Sequence, residues 1–205
     1  MENDIEKLKF PIGKYKAILE FNFSRTIQDI KTLESFANNL KDSVKGLDKT
    51  DFKKTYRDGG MNIAQIIHHY CDTHTYAFLR TKHTLLEDNP SVKMYEVSEF
   101  LTTPESNVLD VEDSLKVIEG IHAKWVSLLK TLSENDFNKT YYHSARDKNI
   151  ILHEHVGMYA WHTKHHLVHI GMAKAEHTKS VGEKVSPSPW LSFGASVLIL
   201  DPESK

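Results

Sequence analysis

Four stretches of the chain repeat apolar residues at three- and four-residue intervals, the spacing that lines one face of an α-helix. In the first, Ile27, Ile30, Leu33, Phe36, Ala37, Leu40 and Val44 form one stripe and predict a helix from about Ser24 to Val44. A second is expected from Asn62 to between His83 and Glu87, centred on Ile63, Ile66, Ile67, Tyr70 and Ala77 and closed before Asn89-Pro90. Asn62 and Gln65 stand at capping-box spacing, each side chain able to satisfy a free backbone N–H. A third begins with Asp110 as N-cap, places Glu112 and Asp113 at the positive helix end, and runs to about Leu132. The fourth covers Leu152 to Ala175. Around these, Phe10–Tyr15 reads as an irregular N-terminal arm and Ser133–Asp136 as a short capped turn. Residues 141–150 suit a small hairpin or loop, and 88–109 a polar link across the surface.

Four helices of this length joined by irregular links suit an all-α fold, an antiparallel four-helix bundle. The 205 residues are expected to form a single domain, with its core in about 20–176. The segment 177–205 is a C-terminal extension, rich in Ser, Pro and Gly before an apolar run at Val197–Leu200. A strand, or an arm over a neighbouring subunit, are both open for it. The formal net charge of −2 gives no case for a nucleic-acid surface. No apolar run approaches the roughly 18 residues of a membrane span, and the acidic start precedes no signal-like stretch. Cys71 is the single cysteine, which excludes an internal disulfide, so a cytoplasmic protein is expected.

Histidine changes the picture. Thirteen are present, four of them within 68–83 and seven within 153–177. The fourth helix offers two i,i+4 pairs able to hold a metal from one helix face, His162/His166 and His165/His169. With Lys164, Gly171 and Lys174 turned to solvent, His162 and His166 straddle the opposite direction while His165 turns toward the rim. In the second helix His69 lies nearer the apolar centre than His68. Thr73, Tyr76 and Arg80 follow His69 on one stripe, either a pocket wall or a solvated edge with Arg80 in a surface ion pair. Imidazoles facing a core are costly unless their nitrogens are satisfied, by hydrogen bonds or by a metal. Three neutral imidazoles leave further coordination positions open, as catalytic sites do. A divalent ion there acidifies a bound water or thiol and polarises an electrophile. Zinc is the first expectation, with nickel and iron also suited to imidazole. Cys71 reads as packing, Trp125 and Trp161 as core or pocket wall, and His122 and His143 carry no assignment.

The sequence resembles the DinB/YfiT-like metalloproteins, most closely the YfiT type. The likeness runs from Phe10-Pro11-Ile12-Gly13-Lys14-Tyr15 through Tyr56-Arg57-Asp58-Gly59-Gly60 and Ile67-His68-His69 with His74 to Arg80-Thr81-Lys82. It continues through His122-Ala123-Lys124-Trp125, Asp136-Phe137 and Tyr142-His143. It ends with Tyr159-Ala160-Trp161-His162, His165-His166-Leu167 and His169-Ile170. The resemblance implies metal ligands at His69, His162 and His166, an αα bundle that is often a homodimer, and metal-dependent hydrolase or thiol chemistry. Met61-Asn62 departs from the family's Trp-Thr, and the tail has no counterpart in it.

Three functions are compatible with these residues. In the first, the metal activates a low-molecular-weight thiol of the bacillithiol type for transfer to a small electrophile. Arg80, with Lys82 or Arg57, would hold the carboxylates of that thiol. In the second, a metal-dependent hydrolase cleaves amides or esters, with His74 or Tyr76 as candidate bases and no HExxH present. The third is a non-catalytic stress protein whose metal is structural.

Overall fold

The computed structural model describes residues 2–92 and 96–181. In chain order the helices are α1 (Glu2–Lys9), α2 (Phe23–Val44), α3 (Ile63–Leu86), α4 (Val97–Phe100), α5 (Glu112–Leu129), α6 (Glu134–Phe137) and α7 (Leu152–Val181). The strands are β1 (Ser91–Val92), β2 (Thr140–His143) and β3 (Lys148–Ile151). The four long helices α2, α3, α5 and α7 form a four-helix bundle. α2 packs on α5 and α7, and α3 packs on the same two helices. The consecutive helices α2 and α3 are therefore diagonal partners.

The stripes read from sequence face inward. Ile30, Leu33, Phe36 and Leu40 of α2 are buried, as are Ile63, Ile66, Ile67 and Tyr70 of α3. The capping box at Asn62 forms as expected. The Asn62 side chain accepts from the Gln65 N–H at 2.8 Å, and the Gln65 side chain accepts from the Asn62 N–H at 3.0 Å. This fixes where the first turn of α3 begins, and hence which face presents His69.

Buried apolar residues fall into two main groups. One gathers Phe36, Leu40, Ile67, Tyr70, Ile118 and Ile170, the other Leu33, Ala77, Trp125, Val156, Tyr159 and Ala160. Along each long helix the two groups are separated by a short interval. On α3 it holds Thr73 and His74, on α5 His122, and on α7 His162 and His166. A polar, histidine-rich layer is thus sandwiched between two apolar ones.

Several details differ from the sequence reading. A short helix, α1, precedes the irregular arm; eight residues are too few to hold a helix alone, so local pattern gave no sign of it. The third helix takes Val111 as its cap position and ends at Leu129. Asp110 Oδ1 still accepts from the Glu112 N–H at 3.1 Å, so the residue caps from one position further out. The fold is helical as expected, with one small sheet, and of the hairpin or loop open for 141–150 the hairpin is formed. Residues 140–151 close into the hairpin β2–β3, turning through Asp147 in the left-handed region (φ 44°). The surface link adds β1 parallel to β2, with Ser91 opposite Tyr142. Among the described residues no helix is long and apolar enough to cross a membrane. The expectations for the segment 182–205 fall outside the described residues.

Candidate metal centre

α3 and α7 run side by side and bring together the three histidines picked out by helical spacing. His69 Nε2 lies 3.1 Å from His162 Nε2. One ring nitrogen from each of His69, His162 and His166 lies within 4.8 Å of the other two. An ion with metal–nitrogen bonds near 2.1 Å holds neighbouring ligands roughly 3.4 Å apart, so the His69–His162 pair already has the spacing of a ligand pair. His69 and His166 are buried, while His162 is half-buried.

The far nitrogens of these rings are hydrogen-bonded. His69 Nδ1 meets the Thr73 hydroxyl at 3.2 Å, one turn along α3. His162 Nδ1 lies 3.0 Å from His74 Nε2, and His74 Nδ1 lies 2.8 Å from His122 Nε2. His122 Nδ1 then reaches the Leu33 carbonyl of α2 at 2.8 Å. His166 Nδ1 lies 3.1 Å from His169 Nδ1, and His169 Nε2 lies 3.1 Å from the Leu8 carbonyl of α1. Burial disfavours the charged form of every one of these rings. It lowers His69, His122 and His169 to about 4 and pushes His74, His162 and His166 well down, with neighbouring imidazoles adding to the effect for the last three. Neutral imidazole is the state that can ligate a metal.

The other sequence candidates are placed less evenly. His74, considered as a hydrolytic base, has no exposed surface and has both ring nitrogens occupied by other histidines. Arg80 is buried on the same side of α3 as His69. Its guanidinium lies 3.5 Å from the Tyr159 hydroxyl and 5.6 Å from the ring of half-buried Tyr76, and Tyr159 is in turn 5.9 Å from His162. The surface-edge alternative for Arg80 is thereby excluded. Lys82 is exposed, with its ammonium over Phe78. Thirteen positions from His69 turn it to roughly the opposite side of α3, so the cluster is out of its reach. Arg57 covers Tyr56, which stacks on His169 at 3.7 Å between ring centroids.

His165 does not lie at the rim. It is 6% exposed, stacked on Trp161 at 4.5 Å and covered by Phe10 of the arm at 5.9 Å. Helical spacing within α7 does not register the arm, whose Phe10 covers this ring. His165, His166 and His169 form a second group with nitrogens within 4.8 Å. All three belong to α7, and His169 spends one nitrogen on Leu8, so this group offers less to an ion than the first. His122 carries no assignment in the sequence reading, although it lies at core spacing, four residues after Ile118 and three before Trp125; His169 enters that reading only as half of the alternative pair with His165. Cys71 is half-buried beside the first apolar group, as packing requires.

Residues 32–170 match the DinB superfamily. A relative from Geobacillus kaustophilus named "Putative metal-dependent hydrolase" is 33% identical over 81% of this chain and 93% of its own. The chain belongs to the DinB superfamily. A second DinB relative, the similarly named YfiT of Bacillus subtilis, is 31% identical over 80% of this chain and 92% of its own. The solved structure of YfiT, described as having an unusual four-helix bundle topology, superposes with a TM-score of 0.80 at 30% identity. It covers 87% of this chain and 99% of YfiT. A mycothiol-dependent maleylpyruvate isomerase shares the fold at a TM-score of 0.58 and 12% identity, over 71% of this chain and 60% of its own.

Proposed function

We propose that this DinB protein is a mononuclear divalent-metal enzyme that transfers a low-molecular-weight thiol to a small electrophile. His69, His162 and His166 would hold the ion. The donor set fits it: three neutral imidazoles from two helices, with open positions left for exogenous ligands. Zinc is the first candidate, and nickel and iron suit the same nitrogens. When bound, such an ion supplies Lewis acidity, lowering the pKa of a thiol or water and polarising an electrophile.

One observation favours the thiol over water. Among the described residues, the groups able to hold a metal consist of histidines alone, with no Asp or Glu among them. Hydrolysis of an amide asks for a general base beside the attacking water, whereas a thiol, once acidified, is a nucleophile without further help. His74 is engaged on both sides and is not free for that duty. Tyr76 lies under Arg80. Arg80, between Tyr76 and Tyr159, is the residue suited to holding a carboxylate of the thiol, since its fork matches that geometry. The relatives' names keep a metal-dependent hydrolase as the second reading.

Two assays separate the readings. Zinc-loaded protein given bacillithiol and monochlorobimane should form the thioether faster than the uncatalysed reaction, and the His69→Ala/His162→Ala/His166→Ala variant should not. Turnover of 4-nitrophenyl acetate without thiol, and none of the bimane, would replace this proposal by hydrolysis. Elemental analysis should find one ion per chain in the parent and none in the triple variant.

A further inference from the structure

The hydrogen bonds behind the cluster have a direction that can be worked out. A backbone carbonyl only accepts, so His122 must donate from Nδ1 to Leu33 O, which leaves a lone pair on His122 Nε2 in the neutral ring. His74 must then donate from Nδ1 to that lone pair, keeping its own Nε2 as acceptor. His162 must in turn donate from Nδ1 to His74, and its lone pair is left on Nε2, the atom facing His69. The second line obeys the same rule. His169 donates from Nε2 to Leu8 O, its Nδ1 accepts from His166 Nδ1–H, and the lone pair of His166 is left on Nε2.

We infer that two hydrogen-bond relays, His162–His74–His122–Leu33 and His166–His169–Leu8, fix the ligating nitrogen of two of the three metal-site histidines, making His74, His122 and His169 positioning residues for the metal. The inference rests on the metal-site reading of the cluster. No carboxylate takes part in either relay. Metal-bound histidines commonly donate their second N–H to a carboxylate or a carbonyl; here the connection to a carbonyl passes through two further histidines in one relay and one in the other. The first relay crosses the bundle from α7 through α3 and α5 to α2, so all four long helices set the orientation of one ring. The second ties the site to α1.

Protein labelled with 15N at histidine and freed of metal reports the relays directly. Long-range 1H–15N spectra should show His162, His74, His122 and His166 protonated at Nδ1, and His169 at Nε2, the His162 signals being assigned by their loss in His162→Gln. A His162 or His166 protonated at Nε2 instead would overturn the inference. Zinc affinity, measured by competition with a chromophoric chelator, reads the consequence. His122→Leu removes the acceptor for His74, frees both rings to change tautomer, and should weaken zinc binding by about 10- to 100-fold, the usual effect of losing an orienting partner. His122→Gln keeps an acceptor for His74 and a donor for Leu33, and should restore most of the affinity. Wild-type affinity in a folded His122→Leu protein, or equal losses in the Leu and Gln variants, would count against the relay. Failure of the parent to bind any ion would sink the metal site, while the tautomer spectrum would still test the relay. Two ions per chain would overturn the second relay, because His166 and His169 would then share an ion rather than a proton.

Discussion

Acid should unfold this protein, in its metal-free form, well above the pH at which its carboxylates titrate. His155 is the simplest case. It has no exposed surface, its Nε2–H donates to the Ala77 carbonyl at 3.1 Å, and its Nδ1 accepts from the Tyr141 hydroxyl at 2.9 Å. Burial, with the Arg80 charge beside it, lowers its pKa from 6.5 to about 3. The folded ring stays neutral where the unfolded one takes up a proton. Between the unfolded value and the folded one the unfolded state therefore binds more protons, and stability rises with pH. Stability is complete above the unfolded value of 6.5 and is lost as pH falls toward the folded one. At about pH 5.5 one such ring costs about 1.4 kcal/mol. His69, His122 and His169, each lowered to about 4 by burial, behave alike. The four together cost about 6 kcal/mol, against a whole stability of typically 5–15 kcal/mol. Urea melts followed by far-ultraviolet circular dichroism should show the midpoint falling steeply between about pH 7 and about pH 5.5. His155→Gln keeps both hydrogen-bond roles without titrating, and should recover about 1.4 kcal/mol of the loss at about pH 5.5. An apo protein whose midpoint is the same at both pH values would refute the assignment of these rings as buried and neutral.

Three other measurements bear on different parts of the structure. Asn62→Ala removes the acceptor for the Gln65 N–H and should lower stability by about 1 kcal/mol without changing the fold, as read by urea denaturation. Zinc at about a hundred times its dissociation constant should add about 2.7 kcal/mol to the unfolding free energy of the parent. It should add nothing to the triple-histidine variant, in the same titration. Arg80→Gln should raise KM for the thiol more than it lowers kcat, measured in the bimane assay, since its part is to hold a carboxylate rather than to react.

Local pattern carried the four long helices and the site's three central histidines, because helical spacing, capping and burial each point the same way at those positions. Ile63, Ile66, Ile67 and Tyr70 set the buried face of α3, and that face decides between His68 and His69. His68 turns instead to Ser114 and the Val108 carbonyl. What escaped was tertiary. The arm residue Phe10 covers His165, and no periodicity within α7 could anticipate that. The hydrogen-bond partner of His122 is a carbonyl 89 positions away, a contact that depends on how α2 and α5 pack. Lys82 belongs to a short match with the family, but helical geometry turns it away from the cluster. The β1–β2 pairing joins segments some fifty residues apart in parallel, which a turn-based reading does not reach.

Ten of the thirteen histidines are buried, an unusual load for one bundle. Their cost would be prohibitive if their nitrogens were left bare. In the two relays that cost is met by neutral tautomers arranged head to tail and ending on carbonyls. The same arrangement that makes these rings tolerable in an apolar sandwich leaves the Nε2 lone pairs of His162 and His166 directed into one cluster with His69. In the metal-free protein a neutral His69 can share its Nε2–H with the His162 lone pair at 3.1 Å, and burial keeps further protons off these rings at neutral pH. A divalent ion satisfies the lone pairs without charging the imidazoles. The folding problem posed by so many buried histidines and the chemical capability of the site thus have one common solution.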